Sequence, residues 1–374
     1  MNDHARRAGF LAFFLSGICA ISSSVIVSLL QESRGLDYGM SGTLLSLMSI
    51  GNLAAGFLTG ILPGKLGTKP TVLLLTAGYA VGYALMLPHG GAALLALAWL
   101  LVGLAKGCAM NTCTLLVGDN TPDRTKGMNT MHACYACGAL LCPVLAAFAG
   151  QFAPDAPLVQ LAVLGAALWL VFAAAPLGSA GGKTKAAADW GFLRSGYFWL
   201  LTALLFCQNA AETGVTGWLV TYFKDSGILT AAVSPYTVTL LWGATMAARL
   251  LLAFVLPPKN PRRAMVVMAA GCVGFYIALV LARSQGAALL LLLGFSLSIA
   301  GLNPTIVSCA GRMTSAASMG IMLPAAGLGA ILMPWVIGII AQSAGLRLGM
   351  AVNILPCAGM LVLAWVLCRK EKSA

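Results

Sequence analysis

Apolar runs of roughly twenty residues follow one another from residue 9 to residue 368 with only short loops between them. Roughly twenty residues is the length a helix needs to cross the hydrocarbon of a bilayer. In that solvent every backbone polar group must be satisfied internally, so only helices or a closed barrel can span it. A barrel would alternate apolar and polar residues over short strands, and these runs do not alternate. The chain therefore reads as an all-α integral membrane protein. Composition agrees, because 60% hydrophobic and 9% charged residues cannot clothe a water-facing surface.

The runs divide into twelve expected transmembrane helices, at 9–31, 40–62, 70–88, 91–118, 127–150, 156–178, 195–223, 233–256, 263–283, 286–309, 315–342 and 346–368. Arg6 and Arg7 precede the first run as in a signal peptide, but no small-residue cleavage site follows, so it is taken as the first span. The polar, Gly-rich stretch from Gly178 to Asp189 reads as a flexible linker at the midpoint. The expected division is a bundle over 1–178, a cytoplasmic linker over 179–192 and a second bundle over 193–374. The net charge of +12 comes from Lys and Arg in short loops, sixteen on the side of the amino terminus and four opposite. Such a bias implies a bilayer partner rather than nucleic acid, with both termini cytoplasmic in a cell inner membrane.

The halves repeat. Gly138-Ala-Leu-Leu-Cys-Pro143, with Gln151 beyond it, answers Gly329-Ala-Ile-Leu-Met-Pro334, with Gln342 beyond it. Leu62-Pro-Gly-Lys65 answers Leu256-Pro-Pro-Lys259, and both pairs join equivalent spans. Two pseudo-symmetric bundles of six helices, with a solute site where the repeats meet, is the plan of a secondary transporter.

One stretch breaks the apolar rule. The seventh span carries Gln208, Asn209, Glu212 and Thr216, spaced three or four apart and so on one helix face. A carboxylate in hydrocarbon costs several kcal/mol unless it is paired, wet or protonated, so Glu212 is a candidate proton-coupling residue; the alternative is a structural salt bridge. Eleven cysteines lie almost all in apolar runs and read as small packing residues. Cys134 and Cys137 form a CxxC without a second pair or a His pattern, which argues against a metal. No phosphate-binding loop and no nucleophile–base cluster is present, so neither a nucleotide cofactor nor an enzyme is expected.

The loop after the second span runs Gly60-Ile-Leu62-Pro-Gly64-Lys65-Leu-Gly67-Thr68-Lys69. With six plus six spans and a basic central linker, it resembles the major facilitator superfamily, although the acidic residue usual in that loop is Gly64 here. Three further stretches, Asn129 to Ala139, Asn303-Pro304-Thr305, and Glu212 with Trp218-Leu-Val220, resemble the fucose-permease-like sugar:proton symporters. That group's amide positions on the fifth span are His132 and Tyr135 here, and its fourth-span acid aligns with Gly107, beside Lys106. The resemblance implies a central cavity lined by Lys106, Asn111, His132, Tyr135, Gln208, Asn209, Trp218 and Asn303. Gating would fall on Gly60, Lys65, Gly67 and Lys69, with Arg249 either a strut bonded to helix carbonyls or an anion contact.

Amides, hydroxyls and an ion pair between Lys106 and Glu212 suit a small polar solute. Asn111 and Asn303 can equally serve helix–helix hydrogen bonds, and His132 can be a hydrogen-bonding residue or a proton relay. The expectation is a monomeric symporter for a sugar or related metabolite, coupled to a proton or to sodium. An efflux antiporter is the alternative.

Overall fold

The structure is a computed structural model that describes residues 2–122, 124–177, 191–256, 258–311 and 316–370. The chain divides into two compact units, Met1–Gly182 and Lys183–Ala374. Of the expected linker, residues 179–190 lie outside the described residues, and Gly191–Arg194 form one 3-10 turn.

The first unit is built from α1 (Asp3–Ile21), α2 (Ser23–Arg34), α3 (Tyr38–Ile61), the single turn α4 (Pro63–Leu66), α5 (Thr68–Leu85), α6 (Ala92–Asp119), α7 (Arg124–Gly150) and α8 (Ala156–Ala174). Its centre is α6, which packs on α1, α3, α5 and α7. The second unit holds α9 (Gly196–Asp225), α10 (Tyr236–Leu250) with a π turn (Leu251–Val255), and α11 (Pro261–Leu281). It continues through α12 (Gln285–Ile299), α13 (Leu302–Gly311), α14 (Ala316–Ala344), α15 (Leu346–Val352) and α16 (Ile354–Lys370). Here α9 is central and packs on α10, α13, α14, α15 and α16.

Among the described residues, nine helical segments are long and apolar enough to cross a membrane. Three expected spans fall outside that number for visible reasons. Thr68, Lys69 and Pro70 occupy the first turn of α5, α9 carries the polar face around Glu212, and α10 gives way to its π turn after 15 residues.

Three other spans, expected as single helices, are interrupted. The first breaks at Ser22, the tenth at Ala300–Gly301 and the last at Asn353. The tenth has a direct cause: Pro304 has no N–H to donate to the carbonyl of Ala300, four residues back. Arg249 Nε takes that carbonyl instead, at 3.2 Å. At Ser22 the carbonyl of Cys19 accepts from Ser22 Oγ at 2.9 Å and from Tyr83 Oη at 2.5 Å. At the last break Tyr276 Oη donates to the carbonyl of Met350 at 2.9 Å. At each of the three breaks a carbonyl thus accepts from a side-chain donor, which suits an interior without water.

Two arginines, Arg34 and Arg347, close span ends in the same way. Arg34 donates to the carbonyls of Met86, Leu87 and Pro88 just past α5. Arg347 Nε donates to Val280 at 3.0 Å in the last turn of α11. A guanidinium offers five donors and suits the negative end of a helix.

The internal repeat has a matching geometry inside each unit. A Cβ at Gly138 would collide with the carbonyl oxygen of Phe14, where α7 crosses α1. A Cβ at Gly329 would collide with the carbonyl oxygen of Phe206, where α14 crosses α9. Small residues at such crossings let backbones approach, which is what drives helix association in lipid. Gly138→Val and Gly329→Val should therefore each lower stability by about 1–3 kcal/mol or more, measured as thermal unfolding in detergent. Gly60→Ala, with nothing within 4 Å of the added Cβ, should leave the melting temperature near that of the parent.

Candidate functional site

The polar face of α9 is bound into a chain of amides. Gln208, fully buried, donates from Nε2 to Glu212 Oε2 one helical turn on. Its other end, Oε1, accepts from Asn303 Nδ2 at 2.9 Å. Asn303 stands in the first turn of α13, so the break in the tenth span brings it to α9. Two amides in line with the carboxyl of Glu212 give it hydrogen-bond partners that offset part of the cost of removing it from water. Glu212, Asn209 and Asn303 are half-buried, whereas Gln208 is closed off.

The helix under this site is clamped at three points, two of them on α14. Asn353, at the break between α15 and α16 and fully buried, donates from Nδ2 to the carbonyl of Ala211 at 3.1 Å. Trp218 Nε1 donates to the carbonyl of Pro334 on α14 at 3.0 Å. Gly329 lets α14 lie against the backbone of α9 at Phe206 and Ala210. Trp218 has no exposed surface, and in this conformation its indole packs between α9 and α14.

The other expected residues fall as follows. Asn111 donates from Nδ2 to Thr59 Oγ1 at 2.9 Å, tying α6 to α3, which is the helix–helix use of that amide. His132 meets the ring of Phe13 edge-on at 5.6 Å, and Tyr135 lies tilted on the same ring at 4.8 Å. Both stand on α7 against α1, with His132 exposed and Tyr135 half-buried. Lys106 is half-buried on α6. Arg249 is the carbonyl strut described above. In the loop after α3, Gly67 has φ +88° and caps α5, a conformation only glycine adopts cheaply. Gly60 and Lys65 are exposed, and Lys69 is half-buried in the first turn of α5.

Asn353 was not singled out from the sequence. Its signal was there: in Asn353-Ile-Leu-Pro356 an amide precedes a proline inside an apolar run, the pattern of an interrupted span. The hydroxyl pairs of the first unit, Ser16 with Tyr79 at 3.0 Å and Ser22 with Tyr83 at 2.8 Å, were likewise unmarked. They lie in different spans, and nothing in local spacing links them.

A bundle of interrupted, apolar helices around a hydrogen-bonded carboxylate is the architecture of a membrane transporter. The family model described as Major Facilitator Superfamily matches residues 9–323, and the chain belongs to that family. Among solved structures, a mutant of the nucleoside transporter NupG is similar with a TM-score of 0.81 at 15% identity, covering 98% of this chain and 99% of that one. The D-xylose-proton symporter follows this fold with a TM-score of 0.76 at 13% identity, covering 97% of this chain and 96% of the symporter.

Tetracycline resistance protein, class E, of Escherichia coli is 29% identical over 178 residues, 46% of this chain and 43% of that protein. Major facilitator superfamily domain-containing protein 10 of Bos taurus is 34% identical over 143 residues, 38% of this chain and 30% of that protein. The chain thus spans less than half the length of these curated relatives.

Trp218→Phe tests the clamp, since it leaves the carbonyl of Pro334 without its donor. A loss of about 1 kcal/mol is expected, read as a lower melting temperature in detergent. An unchanged melting temperature would show that the bond contributes nothing.

Proposed function

We propose that this chain is a secondary active transporter that moves a small polar solute, a sugar or related metabolite, by proton-coupled symport with alternating access. It works as a monomer of twelve spans in two six-helix bundles, joined by a cytoplasmic linker over 179–192, with both termini cytoplasmic in the cell inner membrane. The observation that carries this reading is the hydrogen-bonded chain Asn303–Gln208–Glu212. In this reading Glu212 is the proton-binding group and the two amides bonded in line with it are solute contacts, so that protonation and solute binding influence each other. Lys106, His132 and Tyr135 in the first unit and Asn209 in the second supply further polar contacts. The fucose-permease-like motifs of the sequence support a sugar-like solute, as does the fold shared with a D-xylose-proton symporter.

A second reading, a proton-coupled efflux antiporter, is favoured by the similarity to a tetracycline resistance protein. Both readings use the same carboxyl and differ in the direction in which the proton gradient drives the solute. Vesicles with an imposed pH gradient separate them. Symport accumulates solute with the proton influx, and antiport expels it.

Coupling requires that solute bind the protonated and ionised protein with different affinity, since equal affinity shifts nothing. Glu212→Gln, which mimics a permanently protonated acid, should therefore abolish uphill accumulation and its pH dependence while counterflow exchange survives. The assay compares gradient-driven uptake with counterflow, using a solute found by thermal-shift screening of sugars, nucleosides and organic acids. A mutant that concentrates solute like the parent would make Glu212 a strut.

A further inference from the structure

Gln208 is more than a neighbour of the carboxyl. As the structure stands, its amide is directional: Nε2 faces Glu212 and Oε1 faces Asn303. That orientation suits an ionised Glu212, which only accepts hydrogen bonds. A protonated Glu212 carries an O–H and needs an acceptor. The buried amide already bonded to it can supply one, turned over to present Oε1. Gln208 has no exposed surface, so its two ends cannot be satisfied by solvent, and a turn at one end must be answered at the other.

We propose that Gln208 is a positioning residue that reports the proton on Glu212 to Asn303 by reversing its side-chain amide. This rests on Glu212 being the proton site. When Glu212 takes a proton from water, its O–H donates to Gln208 Oε1, and Gln208 Nε2 turns to face Asn303. Asn303 must then turn its own amide to accept through Oδ1. Its Nδ2, formerly held by Gln208, is released toward the half-buried side. The ionised state therefore leaves Asn303 Oδ1 available as an acceptor, and the protonated state offers Nδ2 as a donor. A solute that presents an acceptor-only oxygen, a carbonyl or a ring ether, to Asn303 binds the protonated state more tightly. That is the differential affinity symport needs.

The elements packed against α9 carry these other ionisable groups among their described residues. On α14 there is none, α13 brings Cys309, and α10 brings Tyr236 and Arg249. From α15 comes Arg347, and from α16 come Cys357, Cys368 and Arg369; the 3-10 turn adds Arg194. On α9 itself stand Tyr197, Cys207, Tyr222, Lys224 and Asp225. Glu212 is the acidic side chain in this set away from the helix ends.

Infrared titration of the purified full chain in lipid nanodiscs, with buffer pH as the only variable, tests the relay. In the parent, a carboxylic C=O stretch absent from Glu212→Gln should grow as pH falls. The carbonyl band of isotope-labelled glutamine that disappears in Gln208→Met should shift with the same midpoint. In the relay the carbonyl of Asn303 goes from free to accepting from Gln208 Nε2, so an isotope-labelled asparagine carbonyl band that disappears in Asn303→Ala should shift in step with the Glu212 band. That shift should be lost in Gln208→Met and, if that variant fails to fold, in Glu212→Gln, which carries an amide at every pH. A Glu212 band that titrates while the glutamine and asparagine carbonyl bands stay still would overturn the relay and leave the proton site standing. No Glu212 band at any pH would overturn both.

Discussion

The rest of the second unit depends on keeping one carboxyl group in the interior of an apolar helix. Left bare there, Glu212 would cost several kcal/mol. The structure meets that cost with a line of amides from two elements, Gln208 on α9 and Asn303 on α13. Such a line works only if both helices hold their register, because an amide displaced by an ångström leaves a buried donor and a buried acceptor unpaired. Hence the clamps on α9, from Asn353 at Ala211 and from Trp218 to Pro334. Hence also the bare glycine contact at Phe206.

Interrupted helices are the other half of the same solution. A continuous tenth span would leave no break to bring Asn303 to α9, and the break exists because Pro304 releases the carbonyl of Ala300. Arg249 makes that release tolerable by donating to it. A cation and a proline 55 positions apart in the sequence therefore act as one device, and it ends at the carboxyl. Capping arginines at Arg34 and Arg347 show the same chemistry at the ends of α5 and α11.

Much of this was legible in the residues. Apolar length announced the helices, and spacing three and four apart put Gln208 and Glu212 on one face. The Gly-to-Pro repeat at 138–143 and 329–334 foretold matched crossings that the backbone makes against Phe14 and Phe206. What periodicity could not show is which spans break and who satisfies the break. That depends on partners from other helices, as Tyr83 for Cys19 and Tyr276 for Met350. Asn111 and Trp218 are expected at the cavity on type and span alone. Their hydrogen bonds to Thr59 and Pro334 join helices, a use of polar groups that membrane interiors favour and that sequence alone cannot distinguish from ligand contact.

The claim on which everything else rests is that solute and proton meet through Glu212. Proton uptake on solute binding measures it without any gradient or vesicle: purified protein in weakly buffered detergent, a pH indicator, and solute added in steps. Coupling through this carboxyl predicts that the parent takes up protons in proportion to solute bound and that Glu212→Gln binds solute with no proton change. Equal proton uptake by the two proteins would contradict it.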